Sequence, residues 1–184
     1  MFERFTRELR EVVMDGQRQA VAERAERIEP GHLLLATLDH ASAPGGALLR
    51  SMGVTREDVA TELDRVRRRG GITDSDAAAL GRLGIDVEQI VDHVEREHGE
   101  NALAGSAWPR QRRSWRRHLA FADEAKRTLE HTLKAAMEVG DRDLGTEHLV
   151  LALVCWPGQA ADVLYTLGVD QNLVRRALSR RKAS

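Results

Sequence analysis

The sequence predicts an all-α protein built from two related four-helix repeats. The first observation is an internal repeat: the apolar stretch 144–154 matches the stretch 28–38 at an offset of 116 residues (148 minus 32, between their histidines). The second is that apolar residues recur at helical spacing, and no segment shows the alternation of a half-buried strand. Copied units of this kind bury their apolar faces against each other. With 42% hydrophobic but only 4% aromatic residues, the core must be aliphatic.

Four helices are expected in the first repeat. Residues 2 to about 27 carry apolar side chains at helical spacing and predict a long amphipathic helix that includes Phe2 and Phe5. The next run is apolar nearly all round, which is typical of a helix buried in a core, and Pro30 suits its first turn. The remaining expected elements are a turn at 42–46, a short helix over 47–51 that stops at Gly53, and a helix capped by Thr55.

The second repeat follows the same order. Its long helix is expected to start at Phe121 and to stop near Gly140. The central helix should begin near Thr146 and end around 156–158. The short helix and the last helix, which Asp170 caps, then repeat at an offset of 115 (168 minus 53, between their stop glycines).

An insert between the repeats contains a partial third copy. In all three copies, apolar residues stand four and one positions before a glycine and one, six and ten positions after it; these glycines are Gly53, Gly84 and Gly168. The pattern predicts a two-helix hairpin over about 75–98. The expected domain limits are 1–70 for the first repeat, 71–118 for the insert with its basic loop, and 119–184 for the second repeat.

Composition argues against several classes of protein. A formal net charge of -1 disfavours a globally basic nucleic-acid binder. The single cysteine, Cys155, rules out an intramolecular disulfide and a cysteine-rich metal site, and its place at the end of an apolar run favours a buried, unreactive thiol. No stretch approaches the roughly 18 apolar residues of a membrane helix, and the charged N-terminus does not resemble a signal peptide. A cytoplasmic location is therefore expected.

Motifs for catalysis and metal binding are also missing from the sequence. No Gly-x-x-x-x-Gly-Lys-Ser/Thr pattern occurs, so no nucleotide-binding P-loop is expected. No serine or cysteine stands in a nucleophile motif, and we expect neither enzyme activity nor a cofactor. His32 and His148 hold equivalent positions in the two repeats, which favours a structural role at each helix start over a metal site.

Three short segments resemble one protein family: Phe2-Glu3-Arg4-Phe5, Phe121-Ala122-Asp123-Glu124-Ala125-Lys126 and Gly145-Thr146-Glu147-His148-Leu149. They are similar to the N-terminal domain of Clp AAA+ unfoldases, closest to the ClpC type, over about residues 1–66 and 119–180. The resemblance implies a compact all-α domain that docks substrates, adaptors and, in some members, cyclic-peptide antibiotics. Because the ATPase motif is missing here, we expect a stand-alone binding module that modulates or decoys the Clp protease.

Glu147 is the residue to which the resemblance gives the most specific role. In ClpC-type members the matching glutamate holds the guanidinium of phosphorylated arginine, a degradation tag, and a carboxylate suits that role because it accepts bidentate hydrogen bonds. Thr146 is included in this predicted site. The equivalent residue of the first repeat is Gly31, so at most one such pocket is expected. The alternative is that Glu147 only complements the positive end of a helix dipole.

A second ligand site is implied by Phe2, Phe121 and Lys126. In the family, the two phenylalanines border the cyclic-peptide antibiotic site, and a lysine lies nearby. Two aromatic residues at matched helix starts would leave an apolar patch where the repeats meet, which is a usual place for ligand binding. The alternative is that both rings belong to the core.

A loop rich in arginine and tryptophan suggests a different function. Arginines interleaved with tryptophans contact phosphates and stack on bases, so this loop predicts nucleic-acid binding, or regulation of the ligand groove by folding over it. The near-zero net charge instead favours a solvated linker. The residues concerned are Trp108, Arg110, Arg112, Arg113, Trp115, Arg116 and Arg117.

Overall fold

Ten α-helices make up most of the computed structural model, which describes residues 2–104 and 119–182. A 3-10 turn over Phe2–Arg4 precedes them. The all-α prediction is confirmed. The chain divides into two compact units, Met1–Val59 with Leu119–Ser184 and Ala60–His118. The helices are α1 Arg7–Ala22, α2 Pro30–Asp39, α3 Pro44–Ser51, α4 Arg56–Arg68, α5 Asp74–Arg82, α6 Val87–His98, α7 Asp123–Val139, α8 Thr146–Cys155, α9 Gln159–Thr166 and α10 Gln171–Lys182.

Two backbone bridges join the repeats within the first unit. Phe5 pairs with Leu144, and Phe121 pairs with Ile28, each as an isolated parallel bridge. The repeat offset of 116 residues converts one bridge into the other (121 minus 5, and 144 minus 28). In the first bridge, the backbone N–H of Leu144 donates to the oxygen of Arg4 at 2.8 Å. Each repeat therefore hydrogen-bonds to the other just before a helix begins, and the pair is pseudo-symmetric.

These bridges change where the two long helices begin. The predicted helix starts at Phe2 and Phe121 are wrong: α1 begins at Arg7 and α7 begins at Asp123. The residues before each helix are held extended because their backbone groups bond to the other repeat instead of to the next turn. The first long helix also ends earlier than predicted, at Ala22.

The central helices α2 and α8 form the core, as predicted. Every residue from Gly31 to Leu38 in α2 and from His148 to Leu153 in α8 is buried. Helix α1 packs on α2 and α7 on α8, while α3, α9 and α10 also pack on α8. Among the described residues, no single helix is long and apolar enough to span a membrane; α8 and α9 qualify only as a pair, and the chain bends by 92° between them.

Helix α3 begins at Pro44, earlier than predicted, and runs through Gly45 and Gly46. The expected turn at 42–46 is therefore too long. Gly45 is needed because α3 packs directly on the start of α8: a Cβ at this position would lie 2.5 Å from the backbone oxygen of Thr146. The N–H of Gly45 also donates to Thr146 Oγ1 at 2.8 Å. This contact positions the first turn of α8.

The second unit contains the predicted hairpin as α5 and α6. Thr73 and Asp86 cap these helices with their side chains. The Arg69 side chain is only 7% exposed and forms ion pairs with Asp74 and Glu88. A buried guanidinium needs such carboxylate partners, because an unpaired charge removed from water is costly.

The residues that follow the two central helices, His40 after α2 and Trp156 after α8, are equivalent but contact different side chains of the long helices. In the first repeat, Asp15 Oδ2 lies 2.5 Å from His40 Nε2. The offset of 116 residues carries these positions onto His131 and Trp156 (131 minus 15, and 156 minus 40), whose ring centroids lie 4.1 Å apart. The guanidinium carbon of Arg127 is 6.0 Å from the Trp156 ring centroid, within reach of a cation–π contact.

The His131–Trp156 stack predicts a pH dependence of stability. Burial lowers the pKa of His131 below its ordinary value, and the charge of Lys134 acts in the same direction. The unfolded chain therefore takes up the proton first as the pH falls below about 6.5, and stability is lost there. We expect His131→Phe, which keeps an aromatic ring against Trp156, to reduce this loss between about pH 7 and 5. Thermal unfolding midpoints across that range measure it; equal slopes for both proteins would contradict the expectation.

Candidate functional site

The first turn of α8 is organised by His148. Its buried ring accepts a hydrogen bond at Nδ1 from the N–H of Gly145, the residue before the helix, at 2.9 Å. Because a backbone N–H can only donate, the neutral ring carries its proton on Nε2. That nitrogen lies 3.1 Å from Asp141 Oδ2. The histidine thus ties the helix start to the preceding loop from both sides of its ring.

Thr146 lies inside this structure and not at its surface. The residue is fully buried, and its hydroxyl accepts the hydrogen bond from Gly45 of α3. Its hydroxyl therefore joins α3 to α8. The proposed ligand contact of Thr146 stays a prediction.

Glu147 is half-buried, and its carboxylate folds back over Gly145. A Cβ at position 145 would lie 2.7 Å from Glu147 Cδ, so only glycine leaves room for this conformation. The buried Oε2 has no hydrogen-bond partner among the described residues. A buried acceptor without a donor is costly, and the start of a helix is where a carboxylate is best tolerated. We refer to residues Gly145, Thr146, Glu147 and His148 as the α8 N-terminal site.

The first repeat keeps the histidine but not the carboxylate. His32 Nδ1 accepts from the N–H of Glu29 at 2.9 Å, as His148 does from Gly145. The His32 Nε2 lies 3.4 Å from a Glu23 oxygen without hydrogen-bond geometry. Gly31 stands where Glu147 stands in α8 and offers no side-chain acceptor. Both histidines therefore serve the helix starts, which agrees with the structural interpretation.

The second predicted ligand site lies partly within the described residues. Phe121 is half-buried in its bridge with Ile28. Lys126 is exposed on the first turns of α7 and pairs with Asp123 at 2.8 Å; this hydrogen bond holds the pKa of Asp123 below its ordinary value. The side chain of Phe2 lies outside the described residues. The role of these three residues in ligand binding stays a prediction.

The arginine- and tryptophan-rich loop lies outside the described residues, so its role also stays a prediction; its residues are Trp108, Arg110, Arg112, Arg113, Trp115, Arg116 and Arg117. Within the part of the chain that the structure describes, no group of three or more histidine, cysteine or carboxylate side chains could hold a metal ion. Cys155 is half-buried, and not buried as expected, because it ends α8 near Gln171 and Arg175, each 3.7 Å from its Sγ.

Two residues that contact the α8 N-terminal site are not apparent from the sequence pattern. Gly45 belongs to an expected turn, and Asp141 to the loop after a helix-ending glycine. Both contact the site through hydrogen bonds that the spacing of apolar residues does not predict. Gly45 donates to Thr146, which lies 101 positions later in the sequence, and Asp141 lies within hydrogen-bond distance of the His148 ring. The repeated histidine is the only local signal for a bonded loop before α8.

Comparison with known proteins gives one consistent result. The model of the family described as the Clp repeat (R) N-terminal domain matches residues 4–102 and 120–183. The chain is 26% identical over 181 residues to the chloroplastic chaperone protein ClpC1 of Oryza sativa subsp. japonica, and equally identical to the Clp protease ATP-binding subunit ClpA homolog of Guillardia theta. These alignments cover 98% of the chain but only 15% and 17% of the two relatives, so the chain spans a small part of their length.

Solved structures show the same fold. The N-terminal domain of the chaperone ClpD from Arabidopsis thaliana matches with a TM-score of 0.55 and 20% identity, covering 100% of this chain and 97% of that one. A structure described as a preliminary investigation of a malarial protein secretion system matches with a TM-score of 0.60 and 14% identity, covering 97% and 94%. At these identities the structural likeness concerns the fold alone.

Proposed function

We propose a function from the premise that this chain belongs to the Clp repeat (R) N-terminal domain family. Domains of this family are non-catalytic and bind protein substrates and adaptors. In our proposal this chain is a protein- and peptide-binding module of the same kind. Its recognition site is the α8 N-terminal site, and its ligand is a protein tagged with phosphoarginine.

The single observation that carries the proposal is the buried, unpartnered Oε2 of Glu147. A guanidinium brings several donors in a planar fork and would satisfy this oxygen. The phosphate on the same ligand carries negative charge, which the N-terminal end of α8 favours through its helix dipole. Phosphoarginine combines both groups, so it suits a site that places a carboxylate on a helix N-terminus.

The two repeats differ in this respect, which sets the stoichiometry. The equivalent turn of α2 has Pro30 and Gly31 in place of Thr146 and Glu147, so it lacks the acceptor. The proposal therefore requires one phosphoarginine site per chain.

Calorimetric titration with a phosphoarginine peptide tests the proposal. We expect one site per chain, and a loss of affinity of at least about tenfold in Glu147→Gln, because a charge-assisted hydrogen bond is removed. The matched control is Glu29→Gln, which removes the same charge beside the start of α2. The unphosphorylated arginine peptide should bind more weakly.

A different outcome would redirect the proposal. Equal affinity of the wild type and Glu147→Gln would exclude the α8 N-terminal site. If the phosphoarginine peptide did not bind and a short DNA duplex bound with an affinity that falls as salt rises, the arginine- and tryptophan-rich loop would be favoured as the binding site instead.

The same proposal includes the junction site with Phe2, Phe121 and Lys126 as a place for cyclic-peptide antibiotics, and a role for the chain in modulating or decoying the Clp protease in the cytoplasm. Its support is that Phe121, which precedes α7, is half-buried and that Lys126 is exposed on the first turns of the same helix. We expect Phe121→Ala to weaken binding of a ClpC-binding cyclic peptide and to leave phosphoarginine binding unchanged. Unchanged affinity for the cyclic peptide in both Phe2→Ala and Phe121→Ala would contradict this part.

A further inference from the structure

A shallow groove lies between α3 and α10, away from the α8 N-terminal site. Its volume is about 280 Å³, slightly below the usual range of small-molecule pockets, and fits one or two side chains. Apolar atoms of Ala47, Leu48, Ala177 and Leu178 contribute to its walls. The full lining is Ser42, Pro44, Ala47, Leu48, Ser51, Ala177, Leu178 and Arg181.

One wall of the groove belongs to α10, a helix rich in basic residues. The sequence of α10 contains five basic residues and no acidic residue; these are Arg175, Arg176, Arg180, Arg181 and Lys182. Arg175 is already paired with Glu138 at 3.3 Å. Arg181 lines the groove itself and has no ion-pair partner among the described residues. A ligand would use this positive charge only if it placed a carboxylate beside Arg181.

We propose that this groove docks a segment of a partner protein that combines an apolar side chain with neighbouring carboxylates. The apolar side chain would lie between Leu48 and Leu178, and a carboxylate would pair with Arg181. The apolar part supplies contact area, and the charge complementarity selects acidic over basic segments. This is an interaction surface additional to phosphoarginine recognition.

The two sites use different sides of α3. Gly45 contacts Thr146 of the α8 N-terminal site, whereas Ala47, Leu48 and Ser51 line the groove. Ser51 Oγ donates to the Leu48 oxygen at 2.7 Å, so its proton is used within α3. A substitution in the groove can therefore be tested without changing Glu147, and the failure of one proposal is distinguishable from the failure of the other.

Fluorescence polarisation tests the groove with a short labelled peptide of leucine and glutamate. Two comparison peptides replace its glutamates by lysine or its leucines by serine. We expect only the first peptide to bind, with an affinity reduced about tenfold by Ala47→Trp, which fills the groove. Arg181→Ser should weaken binding about threefold, as for an exposed ion pair.

The matched control is Arg176→Ser, because Arg176 lies five positions before Arg181 and roughly 140° away around the helix axis. It removes the same charge from α10 and should leave the affinity unchanged. Phosphoarginine binding should be the same in Ala47→Trp as in the wild type, and an unchanged circular dichroism spectrum shows independently that this variant is folded.

Several results would overturn the proposal. Equal binding of the lysine peptide would remove the charge selection, and equal losses in Arg176→Ser and Arg181→Ser would indicate unspecific attraction to α10. Displacement of the peptide by a DNA duplex would assign the α10 wall to nucleic acid. Concentration-dependent self-association that Ala47→Trp abolishes would identify the occupant as a second copy of the chain.

Discussion

Gly45→Ala should lower the free energy of unfolding by about 2–4 kcal/mol, through overpacking against α8 and the weakening of one buried hydrogen bond. The added Cβ would lie 2.5 Å from the backbone oxygen of Thr146 and 2.6 Å from its carbonyl carbon. Backbone atoms at the start of a buried helix cannot move aside as a flexible side chain can. Helix α3 must therefore shift away from α8, which lengthens the hydrogen bond from the Gly45 N–H to Thr146 Oγ1.

Thermal unfolding followed by circular dichroism measures this effect, and for a protein of this size we expect the midpoint to fall by roughly 5–15 °C. The comparison variant is Gly81→Ala, a helical glycine of α5 whose added Cβ meets nothing within 4 Å. Alanine is the better helix former, so this variant should gain about 0.5–1 kcal/mol. If Gly45→Ala were as stable as Gly81→Ala, the close contact of α3 with α8 would be wrong.

The elements that follow from local periodicity are the ones that the sequence predicts well. The central helices begin at Pro30 and Thr146 as expected, because their apolar runs and start signals are contained within a few residues. The starts of α1 and α7 are not predicted, since Phe5 and Phe121 are held extended by hydrogen bonds to the other repeat. Those bonds join residues more than 90 positions apart (121 minus 28, for Phe121 and Ile28), and no local pattern reports them.

The partial third copy shows a second limit of pattern reading. Its apolar positions match those of the repeats, yet Leu83 is 77% exposed and Ile90 is 49% exposed. The residues equivalent to Ile90 in the two repeats, Val59 and Val174, are fully buried. The repeats bury this pattern because each has its own central helix, whereas the described part of the insert, up to residue 104, contains no third apolar helix of that kind. The spacing of apolar residues therefore predicts where helices form, but it does not predict whether their apolar side chains are buried.

The candidate site also has a part that the sequence predicts and a part that depends on tertiary contacts. Glu147 is named by resemblance, and its position on the first turn of α8 follows from the helix start. That its Oε2 is buried without a partner depends on Gly145 having no side chain and on how the preceding loop is held. His148 holds that loop through bonds to Gly145 and Asp141. The chemical difference between the two helix starts is thus a change of two residues beside a histidine that both repeats contain.

That framework leads to the second large effect: His148→Leu should lower the free energy of unfolding by about 2–4 kcal/mol. Leucine fills a similar volume but leaves the buried N–H of Gly145 without an acceptor, and such an orphaned group costs about 1–3 kcal/mol. The contact of Nε2 with Asp141 is lost in addition. His148→Asn should recover part of the stability, because its amide oxygen can accept from Gly145 in place of Nδ1.

His32→Leu is the matched variant in the first repeat. It removes the equivalent bond to the N–H of Glu29, but His32 Nε2 has no hydrogen bond to lose, so its cost should be smaller. Urea unfolding measures both costs, and calorimetry with the phosphoarginine peptide separates their consequences. At a temperature where both variants are folded, His148→Leu should lose binding because His148 no longer fixes Gly145, over which the carboxylate of Glu147 folds, whereas His32→Leu should bind as the wild type does. Equal effects of the two variants on stability and binding would show that the pseudo-symmetric histidines are interchangeable, and the α8 N-terminal site would then have no special dependence on its own loop.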